Sequence, residues 1–277
     1  MLPTLLIAQA KSPLGQSLLN ALNQQLSASV DLILLGDDHE LHAANIKCAL
    51  NLSMLNQDLN AAIAETRQLA NFCTEKNIPL IHLSSYRVFS GDKKNVHNEK
   101  DNPQPATDVD HQWLLAEDLV KPQAKHIILR SSWLMGSEGQ NVLTQLLSAF
   151  LDGAQVQVHR RLRGAPTAID DLARALAAVI KQIQCGADNW GVMHYCSSDH
   201  CSEEEFAEQV LQYLIQYQLL TAEPSLQLIG DDEDEHVASA ILGCRRLREG
   251  FGIQGRSWRP NLILMIKEWL KKRSELN

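Results

Sequence analysis

The residues able to do chemistry fall in a few short stretches. Lys11-Ser12-Pro13-Leu14-Gly15 brings an ammonium and a hydroxyl to the start of a helix. Such a start either attracts an anion or simply caps the helix, with Ser at the N-cap and Pro at the first helical position. Asp37 and Asp38 end an apolar run and suit a ribose hydroxyl or an ordinary turn equally. His159-Arg160-Arg161-Leu162-Arg163, and later Arg245, Arg246 and Arg248 with Arg256 and Arg259 beyond, gather guanidinium groups. These are the side chains suited to bidentate contact with phosphate or carboxylate. In an acidic chain they form an anion site, an interface with an acidic partner, or plain surface pairs with Asp and Glu. The stretch from His194 to Cys201 holds four histidines and cysteines able to ligate a metal, but their spacing matches no standard zinc pattern and no metal is expected.

Alternating strands and helices must position these groups. Residues 4–9 form a short apolar strand. The helix after it carries Leu14, Leu18, Leu22 and Leu26 as one stripe. Strands follow at 30–35 and, more weakly, at 45–50. A helix over about 56–76 sets Leu59, Ile63, Leu69 and Phe72 on one side. Further strands occupy 79–84 and 126–131, and helices about 111–119, 140–151, 169–184, 203–217 and 258–272, the last with Lys in its final turn. This order predicts an α/β fold, a Rossmann-like doubly wound parallel sheet with a smaller C-terminal α/β domain. The expected division is 1–150 and 151–277, the two interleaved. Ligands belong at the carboxyl ends of the strands, after Ile7, Leu35, Ala49, Leu83 and Leu129.

The 277 residues are 45% hydrophobic and 21% charged with net charge −8, which argues against bulk nucleic-acid binding. No run reaches the ~18 apolar residues of a membrane span, and the N-terminus lacks the basic start of a secretory signal. Six scattered cysteines suit a reducing compartment, so a cytoplasmic location is expected.

Three segments, taken together, are specific. Leu83-Ser84-Ser85-Tyr86-Arg87-Val88-Phe89-Ser90-Gly91 is followed by Glu99-Lys100-Asp101-Asn102-Pro103-Gln104-Pro105. Then come Ile128-Leu129-Arg130-Ser131-Ser132-Trp133, and Gly164-Ala165-Pro166-Thr167 with Asp171-Leu172-Ala173. In this order they resemble the dTDP-4-dehydrorhamnose reductase family, extended short-chain dehydrogenases related to the regulatory β subunit of methionine adenosyltransferase. The resemblance implies an NAD(P)-binding domain, a sugar-nucleotide domain and reduction of a keto-sugar. It also implies a proton-donating Tyr in a Tyr-x-x-x-Lys pair, the Lys charge lowering the phenol pKa, and a Ser or Thr that holds the carbonyl oxygen. Between residues 38 and 50 the family usually has another strand–helix unit that this chain lacks.

Ser85 falls on the Ser/Thr position, but the Tyr and Lys positions fall on Val109 and Trp113, which carry neither proton nor charge. Tyr86, with Arg87 as its cation, is the displaced donor on offer, although neighbouring strand residues face opposite ways. The glycine pattern of the dinucleotide loop falls on Gln9, Ser12 and Gly15, and Pro13 removes an N–H from the helix start. Lys11, Ser12, Gly15 and Asp37 are the cofactor-side candidates. Arg130, Trp133, Arg161, Arg163, Thr167 and Arg246 are those for substrate or anion, with Arg161 and Leu162 replacing the family's Asp-Gln. These losses together predict a non-catalytic, reductase-like protein with no cofactor. It would serve as a regulatory or scaffold subunit, alone or as a homodimer, holding a protein partner or a small nucleotide-like ligand. The alternative is a nucleotide-sugar reductase with a displaced donor and weakened NAD(P) binding.

Overall fold

The computed structural model describes residues 4–25, 31–34, 45–220, 225–229 and 239–276. Leu26, Asp37, Asp38 and the acidic run 231–235 lie outside them. Strands β1 (Thr4–Ala8), β2 (Asp31–Leu34), β3 (Ile46–Asn51), β4 (Leu80–Ser85), β5 (His126–Ser131) and a late strand, Gly191–Tyr195, make one parallel sheet. The order is β2-β1-β3-β4-β5 with Gly191–Tyr195 on the far edge. The weak run at 45–50 is therefore a central strand, paired to β1 on one side and β4 on the other.

Strand alternation sorts the core into two layers. Leu5 and Ile7 face helix α1 (Pro13–Gln25) and a later helix, Ile169–Gln184, burying Leu14, Leu18 and Leu22 among Leu172, Leu176 and Ile180. Leu6 and Ala8 face the opposite way, toward α2 (Leu59–Lys76) and α3 (Asp108–Val120), among Leu69, Cys73 and Val120. Each fully buried Leu contributes ~1.5–3 kcal/mol over an exposed one. Asp58 caps α2 by accepting from Asn60 N and Ala61 N, which starts that helix at Leu59 rather than at about 56. Thr107 and Asp110 form a reciprocal capping box on α3.

Helix α4 (Val142–Leu151), strand Gln155–His159 and the helix Glu203–Gln216 build a second core. In it Phe150, Val158, Phe206, Trp258, Leu262 and Ile266 are buried. Strand Gln155–His159 pairs in parallel with Ser225–Ile229, and in both the apolar residues (Val156 and Val158, Leu226 and Leu228) alternate with more exposed neighbours. The terminal helix runs Arg259–Leu276, further than 258–272, so its last-turn cation is Arg273 rather than a lysine. None of the helices among the described residues is long and apolar enough to cross a membrane.

Candidate active site

The turn after β1 is tight although two of its three glycine positions hold Gln9 and Ser12. Gln9 takes the left-handed conformation (φ 59°), which costs a non-glycine residue ~1–2 kcal/mol. The turn is closed by Ser12, whose Oγ donates to Gln9 O (2.7 Å) and accepts from Gly15 N (3.2 Å). Gln16 Nε2 adds a bond to Ala10 O (2.9 Å). A Cβ on Gly15 would sit 2.4 Å from Ala10 O, so only glycine lets α1 lie this close to β1. The first position was expected to fail without glycine; Gln9 meets its backbone requirement at an energetic cost. Lys11 stands exposed beside the amino end of α1. Ser12 spends its hydroxyl inside the turn, so its part toward a ligand is limited to its position. Asp37 is not among the described residues.

A dinucleotide needs a tight turn and a close helix at the carboxyl edge of the sheet, and both are present. On the other side of this turn a Cβ on Gly139 would fall 2.8 Å from Pro13 Cγ, and Gln57 bonds Gln140 (3.2 Å). The loop before α4 therefore borders the helix start.

The second part of the site is the end of β4. Ser85 accepts a hydrogen bond from Arg87 N (3.3 Å), leaving its own O–H to donate. Tyr86 opens a short 3₁₀ turn, Tyr86–Phe89, so strand alternation no longer governs its direction. Its ring lines a cleft of about 320 Å³ with Trp133, Leu162, Gln145, Gln157 and Glu203. Burial pushes the Tyr86 phenol up, while the Arg87 charge and a hydrogen bond from Trp133 pull it back. Arg87 also pairs with Asp110 (3.1 Å), which accepts from Ser90 Oγ and Thr107 Oγ1 (both 2.7 Å). Burial alone would raise the Asp110 carboxyl; the Thr107, Ser90 and Arg87 bonds together hold it below the usual range.

Val109, on the first turn of α3, is 46% exposed, and Trp113 packs against two buried clusters, one containing Val88 and Phe89 and the other Met54 and Ala62. Neither supplies acid or charge.

Several expected ligand contacts are structural. Arg130 is fully buried and bonds Glu117 through two nitrogens (2.8 and 2.7 Å), with its guanidinium 4.8 Å above Phe89. Ser84 Oγ donates to the same Glu117 (2.6 Å). Arg130 is thus not an anion receptor: an interior carboxylate has taken its charge. Arg246 is likewise committed, donating to Val192 O and Trp190 O (2.7 Å each), where it ties the edge strand to the helix Arg245–Phe251. Thr167 is buried, donating to Ala165 O (2.8 Å) and accepting from Ser197 N (3.2 Å), so it too is a framework residue. Trp133 does line the cleft, and Leu162 brings Arg161 and Arg163, both exposed, to its border. Sequence reasoning missed Glu117, Gln145, Gln157 and Glu203; nothing local marks them, because each comes from a separate helix or strand.

The family model described as "RmlD substrate binding domain" matches residues 51–271. The dTDP-4-dehydrorhamnose reductase of Sinorhizobium fredii (strain NBRC 101917 / NGR234) is 27% identical over 205 residues, 72% of this chain and 69% of that protein. A crystal structure of dTDP-4-dehydrorhamnose reductase from Bacillus anthracis str. Ames in complex with NADP superposes with TM-score 0.74 at 20% identity, covering 97% of this chain and 99% of that one. The dTDP-glucose 4,6-dehydratase of the same organism, in complex with NAD, gives 0.77 at 13% identity, covering 98% of each chain. These findings correct the expectation of a retired enzyme without cofactor: the relative is a reductase by name, and chains of this fold hold NADP and NAD. With its three motifs, its parallel sheet and a match spanning four-fifths of its length, the chain belongs to the RmlD substrate binding domain family.

Proposed function

We propose that the protein is an NAD(P)-dependent reductase of a nucleotide-linked keto-sugar, of the dTDP-4-dehydrorhamnose type, with Tyr86 in place of the family's proton donor. The observation that carries this reading is the cleft that Tyr86, the residue after Ser85 at the end of β4, lines with Trp133 and Leu162. Bound NAD(P) would supply a hydride to the carbonyl carbon. Lys11 and the amino end of α1 would meet its pyrophosphate, helped by the helix dipole. Ser85 would donate its O–H to the carbonyl oxygen, and Trp133 would pack against the sugar nucleotide. Tyr86 O–H would give its proton to the oxygen as the C–O double bond becomes single. A phenol is a stronger acid than the secondary alcohol it makes, so the transfer runs downhill even from a buried ring. The neighbouring Arg87 charge then favours the phenolate left behind. Free cysteines throughout the described residues support a cytoplasmic site of action.

The test follows NADPH and NADH absorbance with dTDP-4-dehydrorhamnose. Wild-type protein is expected to turn over, and Tyr86→Phe to lose about 100-fold or more in kcat while nicotinamide fluorescence still reports saturable binding. Absence of both binding and turnover in wild-type protein overturns the reading. Turnover untouched by Tyr86→Phe removes Tyr86 from it.

A further inference from the structure

Away from the cleft just described, the segment after the edge strand Gly191–Tyr195 meets the start of the helix Arg245–Phe251 around two thiols. Cys196 Sγ and Cys244 Sγ are 3.6 Å apart, and both reach Leu242 O, at 3.4 and 3.5 Å. They line a separate, open cleft of about 370 Å³ together with His200, Arg245, Arg248 and Gln254. Cys196 is buried and Cys244 half-buried. A disulfide needs its sulfurs at ~2.05 Å, so an approach of about 1.5 Å would join them. Cys244 immediately precedes the helix and stands on a loop, where a side-chain rotation can supply that movement.

The two sulfurs differ as exchange chemistry requires. The hydrogen bond from Cys244 draws the Cys196 thiol down against its burial, and His200 adds to the effect. Cys244 is pushed the other way by that bond and by burial. The attacking species in thiol–disulfide exchange is a thiolate. Arg245 and Arg248 give the cleft a positive border, although Arg245 shares its charge with Glu249 (2.7 Å).

We propose that Cys196 and Cys244 form a reversible disulfide by exchange with an anionic low-molecular-weight peptide disulfide seated in this cleft. The Cys196 thiolate attacks one sulfur of the disulfide RSSR, forming Cys196–S–S–R and releasing RS⁻. Cys244 then gives up its proton, and its sulfur attacks Cys196 Sγ and expels the second RS⁻. The two protein thiols lose two electrons and two protons, and RSSR becomes two RSH. The new bond would fix the loop 239–244, which already joins Ala240 O to Ser132 Oγ (2.7 Å) and Gly243 N to His97 O (2.8 Å). One redox event would thereby reach the strand end that carries Ser132 and Trp133.

The probe is oxidised glutathione, added to the native full chain and read by intact mass and peptide mapping. The exposed Cys185 is first replaced by Ser so that its adduct does not obscure the pair. The expected product loses the mass of two hydrogens, carries a Cys196–Cys244 cross-linked peptide and reverts with reduced glutathione. Cys244→Ser is expected to accumulate the mixed disulfide on Cys196, and Cys196→Ser to leave Cys244 unmodified. A Cys185→Ser chain in which Cys196 and Cys244 both stay reduced overturns the proposal. So does a persistent adduct on Cys196 that Cys244 never resolves, or a cross-link from Cys196 to Cys201 instead.

Discussion

The turn after β1 and helix α3 depart from the family pattern in opposite ways. In the turn, two glycine positions have changed and the turn is tight all the same: Gln9 accepts a left-handed conformation, Ser12 closes the loop, and Gly15 keeps the close approach. In α3 the frame is intact, with its capping box at Thr107 and Asp110 and Glu117 locked to Arg130, while Val109 and Trp113 have no reactive group. A backbone shape can be held by several different side chains, because strain and local hydrogen bonds are interchangeable within a few kcal/mol. A proton transfer cannot, because it needs one acidic atom in one place. Under the proposed function the donor therefore shifts to another residue, Tyr86 at the end of β4.

The comparison breaks first if the frame under α3 is not what holds it. Glu117→Ala leaves Arg130 charged and uncompensated in the interior, and is expected to cost about 3–5 kcal/mol in urea unfolding. A loss below about 1 kcal/mol would mean that the buried pair anchors nothing.

Acid attacks the same frame. Burial lowers the His82 pKa to about 4, against the pull of Glu117, and burial with the Arg130 charge lowers His194 to about 3. Among the described residues neither ring nitrogen of His82 has a hydrogen-bond partner. Both rings stay neutral when folded, and the unfolded chain takes up their protons first. Stability is thus full above the unfolded value of 6.5 and falls as pH drops from there toward 4, by about 3 kcal/mol for His82 alone. Equilibrium unfolding at a series of pH values measures it; His82→Phe should flatten the slope.

The turn gives the smaller effects. Gly15→Ala forces a Cβ onto Ala10 O, with an expected loss of about 1–3 kcal/mol and a lower Tm. Gln9→Gly removes the left-handed penalty and is expected to gain about 0.5–1 kcal/mol, less whatever the Gln9–Glu65 bond (3.2 Å) contributes. If Gln9→Gly destabilises instead, the turn is held by that side chain and not by Ser12.

Much was legible without a structure. The Leu14, Leu18 and Leu22 stripe, the Ser12-Pro13 helix start and the alternation of strands and helices specify the sheet and its covering layers, because helical and strand periodicities are local properties of the backbone. The family followed from motifs contiguous in sequence. What local pattern could not give was the fate of each polar group. Arg130, Arg246 and Thr167 read as ligand contacts because arginine and threonine serve both purposes; only the fold shows Glu117, Trp190 and Ala165 taking their hydrogen bonds. The meeting of Tyr86 with Trp133, and of Cys196 with Cys244, was likewise decided by tertiary packing. Each joins residues brought together by separate elements, and sequence separation says nothing about which side chains a folded chain brings within a few ångströms.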